Sequence, residues 1–328
     1  MTARCQQCIR VGGSLALLLH LPLSVAANEA EVLVGKIAEA ARTLNYDGDF
    51  VYLRESNVDA MRIIHQAQNG TESERLVSLS GSAREVVRNG ARITCTFKND
   101  KSVMIEQREP RNFVGIDLSQ PIEQVAHFYE FARTGTDRIA GRAVTEVTIM
   151  PRSPDRYSYH LWIDEASNLL LKLTVQAPDG SPLEQVMFTR IAIGAPIDIT
   201  ALTPELDGAG YTSYSNEDAP AGPETADIDQ VVVGWLPPGF AMKNSHTQHM
   251  ASTKMPVRHM AYSDGLAMVS VFVEKMMDTV PPMQGYSALG AVHAFSRVAN
   301  DFQITVIGEV PSTMVRQIAA SVSINKPN

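Results

Sequence analysis

Cysteine is scarce in this chain of 328 residues, which holds three, and only one of them stands beyond residue 26. Residues 1–26 read as a cleavable secretory signal peptide. Arg4 and Arg10 make a positive start, Val11 to Val25 forms an apolar core rich in leucine, and Ser24-Val25-Ala26 or Val25-Ala26-Ala27 supplies small residues for the cut. His20 and Pro22 interrupt that core, which falls short of the ~20 apolar residues of a spanning helix, and no later stretch is long or apolar enough to span. Cys5 and Cys8 would leave with the signal. Cys95 alone cannot make an internal bridge, so burial must hold the exported fold even where disulfides could form. Nor does a cysteine follow the apolar core at the place where a lipid anchor would be attached.

Basic clusters are missing too. The formal net charge is −8 at pH 7, and loss of Arg4 and Arg10 with no acid lowers the exported chain by two, to −10. No run of five or more Lys or Arg exists to neutralise phosphates, which excludes a nucleic-acid partner. The chain also lacks G-x-S-x-G, H-E-x-x-H, G-x-G-x-x-G and the phosphate-cradling G-x-x-x-x-G-K-[ST]. Ser323-Ile-Asn-Lys326 matches S-x-x-K, but at the chain's C-terminal end, where no site can be pre-organised. Cys95 shares a strand face with Ile93 and Phe97 and reads as a small buried hydrophobe rather than a nucleophile. His246 and His249, with His259 nearby, have no carboxylate or thiolate to complete a zinc set. His127 and His160 read as surface or boundary residues. These absences predict a binding protein, not an enzyme, with no catalytic residue, metal or cofactor.

What the chain does have is period. Val32, Leu33, Ile37, Ala40, Ala41 and Leu44 recur at helical spacing over Glu29 to Leu44. Two-residue alternation then takes over in Gly48–Arg54, Met61–Gln68, Arg75–Ser80, Arg84–Arg88 and Arg92–Phe97, and resumes in Ala143–Met150, Tyr157–Asp164, Leu169–Gln176 and Glu184–Ile193. Asn69-Gly70, Asn89-Gly90 and Asp179-Gly180 supply hairpin turns, because both residues of such pairs tolerate positive φ. Between the two runs of strands, Pro121 to Arg133 reads as a second helix, with Ile122, Val125, Phe128 and Tyr129 on one side. The expected architecture is mainly β with α+β character: a meander of roughly nine to eleven strands faced by amphipathic helices.

Composition turns to Gly, Ala, Pro, Ser, Asp and Glu after Gly194, and residues 195–229 read as a linker. Beyond it, Val231–Trp235, Pro256–Tyr262, Leu266–Glu274 and Phe302–Val310 read as strands, with Asp264-Gly265 as a turn and Ser312–Val322 as a closing helix. The expected divisions are a signal at 1–26, a first domain at 27–194, the linker, and an α+β domain at 230–328. A broad sheet facing helices can enclose an apolar ligand, with Phe50, Tyr52, Phe128 and Tyr129 as lining candidates. The same residues would equally fill an ordinary core, which periodicity alone favours.

Six blocks, in order, carry a resemblance. Tyr46-Asp-Gly-Asp-Phe-Val-Tyr52, Arg156-Tyr-Ser-Tyr-His-Leu-Trp-Ile-Asp164, Leu183-Glu-Gln-Val-Met-Phe188, Trp235-Leu-Pro-Pro-Gly-Phe240, Tyr262-Ser-Asp-Gly-Leu266 and Ile307-Gly-Glu-Val-Pro311 resemble the RseB/MucB family of periplasmic regulators of the sigma-E (AlgU-type) envelope-stress response. The resemblance implies a LolA/LolB-like first domain, an unclosed antiparallel β-barrel with helices on its concave face, that senses lipid. It also implies a smaller C-terminal domain that binds an anti-sigma factor. The partner would be the periplasmic segment of a single-span anti-sigma factor of the RseA/MucA type, shielded from regulated proteolysis and released when lipopolysaccharide or another lipid binds. Acyl chains would sit near Phe50, Tyr52, Phe128 and Tyr129. The peptide would lie across the cleft and around Trp235, Phe240, Tyr262 and Leu266, although Pro237, Pro238, Gly239, Asp264 and Gly265 are also ordinary turn formers. Any hold on the membrane would come through that partner, and self-association stays open. Two other readings compete: a periplasmic lipid or lipoprotein carrier of the LolA type without a regulatory role, and an envelope hydrolase.

Overall fold

The computed structural model describes residues 23–107, 116, 118, 120–206, 208–215, 231–249, 255–276 and 281–324. The signal-peptide reading, save its last four residues, lies outside them. Helix α1 spans Leu23–Thr43. Its Ala30, Val34, Ile37, Ala40 and Ala41 are buried, whereas Val32, expected in the stripe, is 50 % exposed; Val34 takes its place one half-turn on.

The first sheet has twelve strands. In chain order they are β1 Tyr46–Arg54, β2 Asn57–Gln68, β3 Thr71–Ser78, β4 Arg84–Asn89, β5 Arg92–Phe97, β6 Ser102–Gln107, β7 Tyr129–Ile139, β8 Arg142–Pro151, β9 Ser158–Asp164, β10 Leu170–Gln176, β11 Pro182–Ile193 and β12 Thr212–Ser215. Their order in space is β12-β6-β5-β4-β3-β2-β1-β11-β10-β9-β8-β7, so two meanders join where β1 pairs with β11 and the ends, β12 and β7, do not close on each other. This is the unclosed antiparallel sheet that was expected. Asn69 and Gly70 both adopt positive φ in the β2–β3 hairpin, as the turn chemistry requires.

Register shows which side chains share a face. Tyr52, Val186, Leu173, Leu161 and Val147 stand opposite one another in successive strands, so they form one row across β1, β11, β10, β9 and β8. That row joins two apolar clusters. Ala30, Val34 and Ile37 of α1 pack into the first with Tyr129, Phe131, Tyr159, Leu161 and Leu173, and Ala41 packs into the second with Tyr46, Phe50, Met61 and Phe188. The helix therefore lies along the apolar face of the sheet.

The second expected helix is cut short. Only Ile122–Val125 is helical, as α2, and Tyr129 onward is the edge strand β7, paired antiparallel with β8. Ile122, Val125 and Tyr129 keep a helical period, while Tyr129 and Phe131 keep a two-residue one. Pairing with β8 decides between them, because an unpaired β8 would leave its backbone groups unsatisfied. Within the stretch read as a linker, the described residues 195–206 and 208–215 include a 3-10 turn at Ile199–Leu202 that sits against β2 and β3, and β12, which adds in parallel to β6.

The C-terminal unit holds a two-stranded ribbon of β13 Val231–Val233 with β20 Val322–Ile324, and a six-stranded sheet. The sheet comprises β14 Ala241–His249, β15 Pro256–Ser263, β16 Met268–Lys275, β17 Gly285–Leu289, β18 Val292–Ala299 and β19 Phe302–Gly308, in the order β14-β15-β16-β19-β18-β17. Helix α3, Ser312–Ser321, buries Met314, Val315, Ile318 and Ala319 against Val271, Val273, Ile304 and Val306.

Candidate functional site at the seam between the sheets

Three turns of the C-terminal unit press onto the end of the first sheet. Pro238-Gly239 meets Phe128: Gly239 has φ +93°, and a Cβ there would lie within 2.7 Å of three ring atoms of Phe128. Asp264-Gly265 joins β15 to β16 as expected, and a Cβ on Gly265, at φ +99°, would lie 2.6 Å from Val125. Only glycine permits both the left-handed backbone and the close approach. The β17–β18 turn places Ala291 among the apolar side chains of the first sheet, while the Ala291 and Gly290 amides donate to Glu184 (2.9 Å) and Glu55 (3.3 Å).

Charge is buried at the centre of this seam. Arg156, 1 % exposed, follows β8 in the first unit, and Asp264 lies in the β15–β16 turn. Arg156 Nε donates to Asp264 Oδ2 at 2.7 Å, its Nη1 donates to Ser153 and Asp155 at 2.9 Å, and its Nη2 donates to the Pro238 carbonyl. Tyr129 Oη also donates to Asp264 Oδ2, at 2.9 Å, while the amides of Leu266 and Ala267 donate to Oδ1 at 3.0 and 2.9 Å. The rings of Phe128, Tyr129 and Phe240 surround the guanidinium, 5.3 to 5.8 Å from Cζ. Burial disfavours the charge on Arg156, but the hydrogen bond and field of Asp264 outweigh it and hold the group above its ordinary pKa. Burial pushes the Tyr129 phenol well up, with Tyr159 and Asp264 adding to the shift. Both groups thus keep their protons as donors.

The structure sorts the candidates into three places. Phe128, Tyr129, Phe240 and Leu266 come together at the seam, so residues proposed for lipid and residues proposed for a partner share one site. Phe50 is 1 % exposed and packs on Phe188 with ring centroids 5.6 Å apart. Tyr52 is half-buried and donates to Glu184 at 2.6 Å. Trp235 and Tyr262 belong to the C-terminal core. Cys95 is half-buried between Val86 and Met104 on neighbouring strands. His259 stacks on Phe272 and meets His246 edge-on; the side chain of His249 lies outside the described residues. Among the described residues no group of three or more His, Cys, Asp or Glu is arranged to hold a metal. Sequence reasoning missed Arg156 and Asp264 as functional residues, although both stand inside blocks that carried the resemblance. The available signal was a charged residue beside otherwise aromatic or turn-forming neighbours.

Two β-rich units clamped across a buried ion pair define a two-domain β protein whose interface is built for specific contact. Residues 29–206 match the MucB/RseB N-terminal domain and residues 225–323 the MucB/RseB C-terminal domain, so the chain belongs to the MucB/RseB family. It is 30 % identical over 313 residues to the sigma factor AlgU regulatory protein MucB of Pseudomonas aeruginosa, covering 93 % of this chain and 94 % of that one. To the sigma-E factor regulatory protein RseB of Escherichia coli it is 27 % identical over 292 residues, 86 % and 87 % of the two chains. A crystal structure of MucB in complex with MucA(peri) superimposes with a TM-score of 0.70 at 28 % identity, covering 91 % of this chain and all of that one.

Proposed function

We propose that this protein is a periplasmic negative regulator that binds the periplasmic segment of a single-span anti-sigma factor, shields it from regulated proteolysis, and lets it go when lipopolysaccharide or another lipid binds. The observation that carries the reading is similarity over 91 % of this chain to a MucB solved with MucA(peri). Residues 27–194 take the lipid-sensing role and 230–328 the principal partner-binding role, with the peptide crossing the seam. The protein acts by binding, not catalysis. Its link to the membrane runs through the partner, in keeping with the finding that no described helix is long and apolar enough to cross a bilayer.

The seam supplies a physical route for competition. The apolar face of the first sheet is covered by α1 and by Leu266 and Ala291 of the C-terminal unit. An acyl chain entering there would displace those turns and shift the second unit. A ligand switches such a complex only by its differential affinity for the two arrangements. Capture of the anti-sigma segment by the purified protein, repeated with and without lipopolysaccharide, tests the reading. Capture that is lost on adding lipid supports it; lipid binding without peptide capture would instead make the protein a carrier of the LolA type.

A further inference from the structure

The geometry points to a head-group site for an anionic amphiphile formed by Arg156 and Tyr129, which Asp264 occupies in the closed protein as an internal surrogate. The inference rests on the lipid-binding reading and deepens it by naming the ligand's charge and the side chain it replaces. Asp264 is the only one of the three that belongs to the C-terminal unit; both side chains that donate to its Oδ2 belong to the first. A guanidinium and a phenol converging on one oxygen are donors suited to any carboxylate or phosphate oxygen, not to aspartate alone. Asp155 and Ser153 hold Arg156 Nη1 from within the first unit, so a ligand has to replace only the contacts made by the C-terminal unit.

Two further observations give the site its ligand class. Tyr159 is 1 % exposed, its ring lies 6.4 Å from that of Tyr129, and its hydroxyl has no hydrogen-bond partner among the described residues. Asp264 and Arg156 are near enough to influence its acidity. A buried phenol left unsatisfied is costly, and a head with a third oxygen would accept from it where the carboxylate of Asp264 does not. Directly beside these donors lies the apolar cluster of Tyr157, Leu161, Leu173 and Val175, covered by Leu266 and Ala291. Withdrawal of the C-terminal turns therefore uncovers polar donors and an apolar floor together, which fits a charged head with a hydrocarbon tail. The same oxygen that satisfies Arg156 removes its hold on Asp264, so binding and domain release are one event.

The test uses the full mature chain and three twelve-carbon probes below their micelle concentrations: dodecyl phosphate, dodecanoate and neutral dodecyl maltoside, titrated calorimetrically. The wild type should bind an anionic probe more tightly than the neutral one. In Asp264→Asn that preference should rise about tenfold, the size of a charge-assisted hydrogen bond. In the double variant Arg156→Met/Asp264→Asn, which removes both charges and so leaves neither buried alone, the preference should vanish while the melting transition stays cooperative. Dodecyl phosphate, with the third oxygen that Tyr159 can meet, should bind more tightly than dodecanoate, and the reverse order overturns the reading. An unchanged preference in Asp264→Asn, or one that survives in the double variant, overturns it. Equal binding of all three probes leaves the lipid reading standing and removes the head-group site; no binding of any probe removes both.

Discussion

Replacing Arg156 with methionine keeps an unbranched stem and removes the guanidinium with its charge from the buried centre of the seam. The carboxylate of Asp264 would keep Tyr129 Oη and the amides of Leu266 and Ala267, but lose its counter-ion. Removing one partner of a buried pair costs about 3–5 kcal/mol, because the other charge is left without compensation. That loss falls on the contact between the units rather than inside either core. The chain has two tryptophans, Trp162 in the first sheet's apolar cluster and Trp235 against the C-terminal core. Urea unfolding followed in single-tryptophan variants, with the other replaced by phenylalanine, therefore reports each unit separately. In the parent the two transitions should coincide; in Arg156→Met they should separate, and Asp264→Asn added to it should recover part of the loss. Coincident transitions in Arg156→Met, with stability within about 1 kcal/mol of the parent, would show that the ion pair does not couple the units.

Gly239→Ala places a Cβ against the Phe128 ring at a positive φ and should cost about 1–3 kcal/mol, read as a lowered melting temperature with secondary structure unchanged. Phe50→Ala should cost about 3–5 kcal/mol by opening a cavity beside Phe188, and circular dichroism melting will measure it. Burial holds the His293 imidazole below its ordinary value, against a hydrogen bond with the Val310 backbone, while Tyr157 and Tyr286 flank the ring. The neutral ring is thus the one the seam accepts. Its contribution is full above about pH 6.5 and is lost as pH falls through the lowered folded-state value. His160, lowered by burial against the pull of Glu146, acts in the same direction. His293→Gln should therefore flatten part of the stability loss between pH 7 and pH 5, and an unchanged pH profile would refute the assignment.

The strands that hairpin chemistry joins were legible from local pattern. Asn69-Gly70 and Asp264-Gly265 each allow one sharp reversal, and the flanking alternation leaves one register that buries the apolar side. Elements whose side chains do not alternate in burial were not legible. All of β17 is exposed, and β14 carries Met242, Lys243 and Asn244 outward, so neither offers a two-residue period. Strand β7 carried a period compatible with a helix, and only its pairing with β8 resolves it. The lining candidates were legible as aromatic residues, but not which of them meet: Phe50 and Tyr129 lie in different clusters of one sheet, while Phe240, from another unit, stands over Arg156.

What the sequence by itself determined is what neighbours along the chain can decide. The acidic balance, the β meander with its first helix and the family blocks all follow from composition, period and turn chemistry within short windows. The tertiary structure alone decided where charge is buried. Arg156 and Asp264 are 108 residues apart, and each by itself reads as a solvated or turn residue. Their pairing arises only when folding of the first sheet and docking of the β15–β16 turn bring a guanidinium, a phenol and a carboxylate into one dry place, and no local pattern encodes a desolvation cost that two distant segments share.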